Sequence, residues 1–149
     1  MIQHVWSVLC QGSSIDSDSN RISLFNILES IQVIADQGKI INLPIPFEII
    51  SLWVQDASHS PAQGETRVSY IQPSGDTKSI STTKLDLSEA AFFRHRVIGR
   101  GLQLSGPGRY TFLVEFQNEG EEIWHSAASI PFFVYYLPPE KPTDPEATS

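Results

Sequence analysis

Nine consecutive residues constrain this chain more than any others. Across 109–117, Tyr110, Phe112, Val114 and Phe116 fall on one side, and Arg109, Thr111, Glu115 and Gln117 on the other, with Leu113 the one apolar exception. Side chains alternate faces along a strand, so this period of two predicts a β-strand with one face in a core and the other in water. Asn118-Glu119-Gly120-Glu121 then predicts a turn, and a strand from Glu122 to about Ser126 closes a hairpin. Pro131 is expected to interrupt the chain before a last strand over Phe132–Leu137, at an edge or bulge, because proline has no N–H for a ladder.

Other segments carry the same signal. Phe47–Gln55 is apolar on both faces, as a central strand covered on both sides would be. Glu65–Gln72 alternates, Pro73-Ser74-Gly75-Asp76 turns the chain, and Thr77–Leu87 returns as a Ser/Thr-rich strand. The first strand is expected over His4–Cys10, with His4, Trp6, Val8 and Cys10 on one face. Leu24, Ile27, Leu28 and Ile31 stand at helical spacing, but the β-branched residues and the neighbouring strands favour a bulged strand over 22–34. Ser88-Glu89-Ala90-Ala91 caps one short helical turn before a strand from Phe92 to about Leu104. Short strands divided by turns, without alternating helices, predict an all-β, two-sheet antiparallel sandwich of about eight strands. It occupies 1–137 as one domain. Residues 138–149, with Pro138, Pro139, Pro142, Pro145 and several acids, read as a disordered tail.

Gly106-Pro107-Gly108-Arg109-Tyr110-Thr111-Phe112 resembles the start of the sixth strand of immunoglobulin-like domains. There a tyrosine hydroxyl bonds back to the chain in a tyrosine corner. The resemblance implies an immunoglobulin-like sandwich, with Phe112 where antibody domains place a cysteine. Trp6-Ser7-Val8-Leu9-Cys10, Ser14-Ile15-Asp16, Ser19-Asn20 and Ser23-Leu24-Phe25-Asn26-Ile27-Leu28 are together similar to the start of a family of small uncharacterised bacterial proteins. That likeness implies a bacterial source and carries over no functional residue.

Composition narrows the partners. A formal charge of −7 argues against nucleic acid and anionic membrane surfaces. The lone cysteine, Cys10, permits no internal disulfide and favours a reducing cytoplasm. The opening Met1-Ile2-Gln3-His4-Val5-Trp6 lacks the basic region of a signal peptide, and no apolar stretch reaches the length of a membrane span.

Motifs for chemistry are weak. Asp16-Ser17-Asp18-Ser19-Asn20 matches the first three ligand positions of a calcium loop, but Arg21 and Ile27 replace the glycine and the bidentate glutamate it needs. It reads as a polar loop. His4, His59, His95 and His125 form no short ligand pair, and nothing near Cys10 would lower its pKa. There is no GxSxG or GxxxxGK; Gly99-Arg100-Gly101 and Gly106-Pro107-Gly108 are not phosphate loops. The expectation is no catalytic residue, no metal and no cofactor.

Two features point to binding instead. No acid lies between Ala90 and Val114, a stretch holding Arg94, Arg96, Arg100 and Arg109. Arg94, Arg96 and Arg100 are the candidate docking site for an anionic group on an acidic partner, set against pairing with Glu115, Glu121 or Glu122 across the sheet. Phe133 and Tyr135 oppose Phe132, Val134 and Tyr136, and form a candidate apolar patch near the last edge, for a protein partner or a homodimer through an edge strand. The sequence therefore reads as a non-catalytic interaction or binding module. The alternative is a small-ligand binder with a pocket between sheets or at a barrel mouth.

Overall fold

The structure, a computed structural model, describes residues 1–56 and 62–140. Eleven strands run in chain order: β1 (Ile2–Ile15), β2 (Ile22–Ile27), β3 (Ser30–Ile34), β4 (Ile41–Leu43), β5 (Phe47–Gln55), β6 (Gln63–Ile71), β7 (Thr77–Asp86), β8 (Phe92–Gly99), β9 (Leu102–Leu104), β10 (Gly108–Asn118) and β11 (His125–Leu137). They form a four-stranded sheet in the order β2-β1-β5-β8, a five-stranded sheet in the order β3-β11-β10-β6-β7, and a small pair, β4-β9. Every pairing is antiparallel except that of β3 with β11. The fold is an all-β sandwich, as expected, with more strands than the eight anticipated.

The core lies between the two large sheets. Trp53, Phe47 and Ile49 of β5 meet Tyr110, Phe112 and Val114 of β10 and Phe132 and Val134 of β11. Phe112 is central, with ring centres 5.8 Å from Phe47, 5.9 Å from Tyr70 and 6.1 Å from Phe132. Those are favourable separations for tilted aromatic pairs. The alternation read at 109–117 thus places its inward side chains correctly.

Several boundaries differ from expectation for identifiable reasons. The ladder shifts between His4 and Trp6, so an extra residue, Val5, puts Trp6, Val8 and Cys10 on the opposite face from His4. Residues 22–34 are strand, but in two pieces. Asn26 adopts φ 52°, and the chain crosses at Leu28-Glu29 from one sheet to the other. Segment 88–91 makes no helical turn; the Ser88 N–H instead donates to the Asp86 carboxylate at 2.9 Å. The strand expected over 92–104 divides at Arg100-Gly101, and its second half joins β4 in the small pair. No strand begins at Glu122; β11 starts at His125. It then runs unbroken through Pro131, which sits opposite Thr111 before β3 begins to pair at Phe133. The missing N–H therefore falls where the far side of β11 is still open. The tail expected from 138 lies mostly at 141–149, outside the described residues.

Candidate functional site

The predicted arginine cluster sits on β8, an edge strand. Arg94 pairs with Leu52 and Arg96 with Ile50, which puts both on the face that Trp6, Val8 and Cys10 share. Each is already engaged, though not by the acids expected. Arg96 Nη2 donates to Glu48 Oε1 at 2.9 Å, and the Ser13 hydroxyl donates to the other carboxylate oxygen of Glu48. Burial pushes the Glu48 carboxyl up, but the Arg96 and Ser13 bonds and the Arg96 charge outweigh it and hold the group below its ordinary range. Arg94 reaches across to Asn20, donating to its carbonyl at 2.7 Å and to its side-chain oxygen at 3.3 Å. Its charge meets no carboxylate there. Arg100 is exposed just past the end of β8 and is not aligned with the other two. Glu115 instead binds Arg67 at 2.8 Å, and Glu121 binds His125 at 2.9 Å. The row of three therefore reduces to one neutralised arginine and two others. Cross-strand partners decided this, and a pattern along one strand does not reveal them.

Phe133 and Tyr135 are 40% and 52% exposed. Their strand is not the last of its sheet, because β3 lies beside it in parallel. The parallel register sets Phe133 beside Ser30, Tyr135 beside Gln32 and Leu137 beside Ile34. Leu137 and Ile34 are exposed too, so an apolar row runs up to the edge at β3.

The four edges of the sandwich differ in charge. Edges β7 and β8 carry Lys78, Lys84, Asp86, Arg94 and Arg96. At the other ends of the two sheets, β2 (ISLFNI) and β3 (SIQVI) carry no charged residue. Phe25 and Ile27 on β2 are 51% and 60% exposed. An edge presents unpaired backbone N–H and C=O groups, which natural sheets commonly guard with charge. Here the guard stands on one side of the molecule only. The clue lies in the sequence as two uncharged runs, but only the sheet order makes both of them edges.

A polar chain enters the sandwich interior where no motif foretold it. His4 Nε2 lies 2.7 Å from Ser7 Oγ, which lies 2.7 Å from Ser51 Oγ, with His95 opposite Ser51. Burial lowers the pKa of both His4 and His95. Among the described residues no carboxylate orients either ring, and Ser51 is buried, so this polar chain lacks the third member and the access that an activated hydroxyl needs. Burial also raises the Cys10 thiol, which donates to the Gly12 carbonyl. Asp16, the first of the would-be calcium ligands, accepts bonds from the Asp18 and Ser19 N–H groups of its own turn. Among the described residues no three His, Cys, Asp or Glu side chains gather as a metal site. His59 lies outside the described residues.

A cleft of about 670 Å³ opens at one end of the sandwich between Met1–His4 and Phe116, Glu121 and His125–Ala127. Its acids are engaged, Asp56 with the N-terminal amine at 2.8 Å and Glu121 with His125. No helix among the described residues is long and apolar enough to cross a membrane.

No protein-family model matches the chain, and no curated protein matches it. Among solved structures, it is similar to the Pseudomonas fluorescens alkylpurine DNA glycosylase AlkC bound to DNA containing an abasic site analog. The likeness has a TM-score of 0.37 and 13% identity, and spans 90% of this chain but only 30% of the glycosylase chain.

Proposed function

We propose that this chain is a non-catalytic protein-interaction module that accepts a partner along its uncharged side. The observation that carries the reading is the unequal guarding of the four edges: charge on β7 and β8, none on β2 or β3. A partner strand laid on such an edge gains backbone hydrogen bonds, and exposed side chains such as Phe25 and Ile27 supply contact area. The apolar row Phe133, Tyr135, Leu137 and Ile34 extends the contact surface around β3. The ligand-binding alternative is weaker, because the acids lining the end cleft are held by internal bonds.

The immunoglobulin-like assignment belongs to this proposal. It is supported by the Tyr110 hydroxyl, which donates to the Gly106 carbonyl, and by a first-half strand, β3, running parallel to the last strand. A bacterial source rests on the N-terminal resemblance, and a cytoplasmic setting on the single unpaired Cys10. Docking of an acidic partner by arginine rests on Arg94 and Arg100, since Arg96 is neutralised by Glu48.

The test is photo-crosslinking. A crosslinking residue at position 25 on β2 is expected to capture a polypeptide that the same residue at position 82 on β7 does not. Equal capture from both edges, or from neither, overturns the reading.

A further inference from the structure

Cys10 and Ile50 are both 0% exposed, yet neither belongs to the core between the sheets. Their registers place them with Val8, Glu48 and Arg96 on the outer face of the four-stranded sheet. A side chain on an outer face stays dry only where something lies over it.

The cover is the chain's own β1–β2 hairpin. Arg94 stands in one row with Leu52 and Trp6. A straight β1 would carry Ile15, where the hairpin turns, about 30 Å beyond that row. Yet the Arg94 guanidinium donates to the carbonyl of Asn20, at the hairpin's tip, at 2.7 Å. The hairpin is therefore bent back across the face. It bends where the ladder skips from Cys10–Ile27 to Gly12–Phe25: Asn26 takes φ 52°, and its side-chain amide donates to the Gln11 side chain at 2.9 Å. The side turned to the sheet carries Ser13, Ile22 and Leu24. The Ser13 hydroxyl donates to Glu48 at 2.6 Å, and the two apolar side chains are half-buried, whereas Ser23 and Phe25 on the other side are exposed.

We propose that this arm, residues 11–26, is a strap that opens as one unit about Gln11 and Asn26, with Arg94 as the latch at its tip. Its base is fixed in the sheet, since the Leu28 N–H stays bonded to the Leu9 carbonyl at 2.9 Å. Its tip is set by its own turn: the Asn20 N–H donates to the Asp16 carbonyl at 2.8 Å, and Asn20 has φ 58°. The two Arg94 bonds to Asn20 are exposed, so water competes for them. Opening breaks these and the Ser13–Glu48 bond and uncovers Cys10 and Ile50. It leaves the core between the sheets intact, and so costs less than unfolding the whole domain. The two arginines of β8 thus serve one element: Arg96 holds Glu48 in place for Ser13 at the root of the arm, and Arg94 holds its tip. The inference is independent of what docks on β2.

Cys10, the one thiol of the chain, reports opening. Its reaction with the thiol reagent DTNB is followed on the native full chain without denaturant, beside amide hydrogen exchange, with circular dichroism and melting temperature checking each variant's fold. In wild type, residues 11–26 are expected to exchange together and faster than the amides of Ile49–Trp53. Arg94→Gln should speed Cys10 labelling by about tenfold or more, because bonds to a charged group are lost. Asn20→Gly keeps the backbone carbonyl and tolerates the positive φ, so its labelling should stay within about threefold of wild type. Tyr110→Phe, which weakens the whole fold and not the strap, should leave labelling unchanged. Labelling that rises as much in Tyr110→Phe as in Arg94→Gln would show that Cys10 is reached only by global unfolding and overturns the inference. Labelling indifferent to Arg94→Gln overturns it too, as does an arm that exchanges no faster than β5.

Discussion

The Tyr110 hydroxyl donates to the carbonyl of Gly106, four residues upstream, at 2.8 Å. It also accepts the Ser105 N–H at 2.9 Å, so one buried oxygen ties the loop before β10 to the strand it enters. Gly106 itself has φ 146°, a conformation that side chains resist, so the loop can take this path only with glycine there. Tyr110→Phe keeps the ring in the core and strands both backbone partners. It should cost about 1–3 kcal/mol, read from urea unfolding. An unchanged midpoint would mean that the corner holds without the hydroxyl.

Arg96 and Glu48 should prove unequal partners. The side chains are 35% and 10% exposed, so the carboxylate is the more deeply placed. Removing Arg96 leaves that carboxylate with only the Ser13 hydroxyl, whereas removing Glu48 leaves an arginine able to turn into water. Arg96→Met should therefore cost about 1–2 kcal/mol, less than a fully buried pair would because the arginine is a third exposed. Glu48→Gln should cost clearly less. Equal losses from both, by chemical denaturation at neutral pH, would contradict the asymmetry. Arg96→Glu is a poor probe of docking, since it sets two carboxylates face to face.

What could be read from the sequence is the face of each strand, because alternation is local. Tyr110, Phe112 and Val114 went inward as their spacing required, and Phe132, Val134 and Tyr136 likewise. What could not be read is who lies beside whom. Glu48 is 48 residues from Arg96, and no pattern within either strand points to the other. The crossing at Leu28-Glu29 was equally hidden, since strand propensity does not say to which sheet a strand belongs. A single inserted residue, Val5, moved Trp6, Val8 and Cys10 to the other face, because a shift of one residue inverts a period of two.

Stability should begin to fall as pH drops below about 6.5 and fall further below about 4.5. His4 and His95 both have folded-state pKa values below 6.5, through burial. Below about pH 6.5 the unfolded chain binds protons that the folded chain refuses, so their contribution is complete above that pH and declines beneath it. Glu48 and Glu121 are held below 4.5, and their contribution is lost only as pH falls from about 4.5 through their folded values. His95→Leu removes the larger burden, since His95 is buried with Nδ1 unbonded. It should flatten the decline that begins below about pH 6.5 and leave the further loss below about 4.5 in place. A melting temperature constant from about pH 7 to 5 in the wild type would contradict the histidine contribution.

Gly99 offers the sharpest test of how the core closes. It ends β8 directly opposite Phe47, and the ring of Phe47 occupies the space where a side chain on residue 99 would begin. That ring is the one packed 5.8 Å from Phe112 at the centre of the sandwich. The backbone at Gly99 is not among those with positive φ, so an added methyl meets steric resistance and no conformational strain. Gly99→Ala must therefore push Phe47 away from Phe112 or bend the end of β8. Overpacking of this kind should cost about 1–3 kcal/mol. Shrinking the opposing ring should give part of it back: Gly99→Ala/Phe47→Leu should lose less than the sum of the two single variants, a coupling that distant sites do not show. Full additivity in the unfolding free energies would mean that Phe47 moves aside without cost, and that the close approach of β8 to β5 is not what requires glycine here.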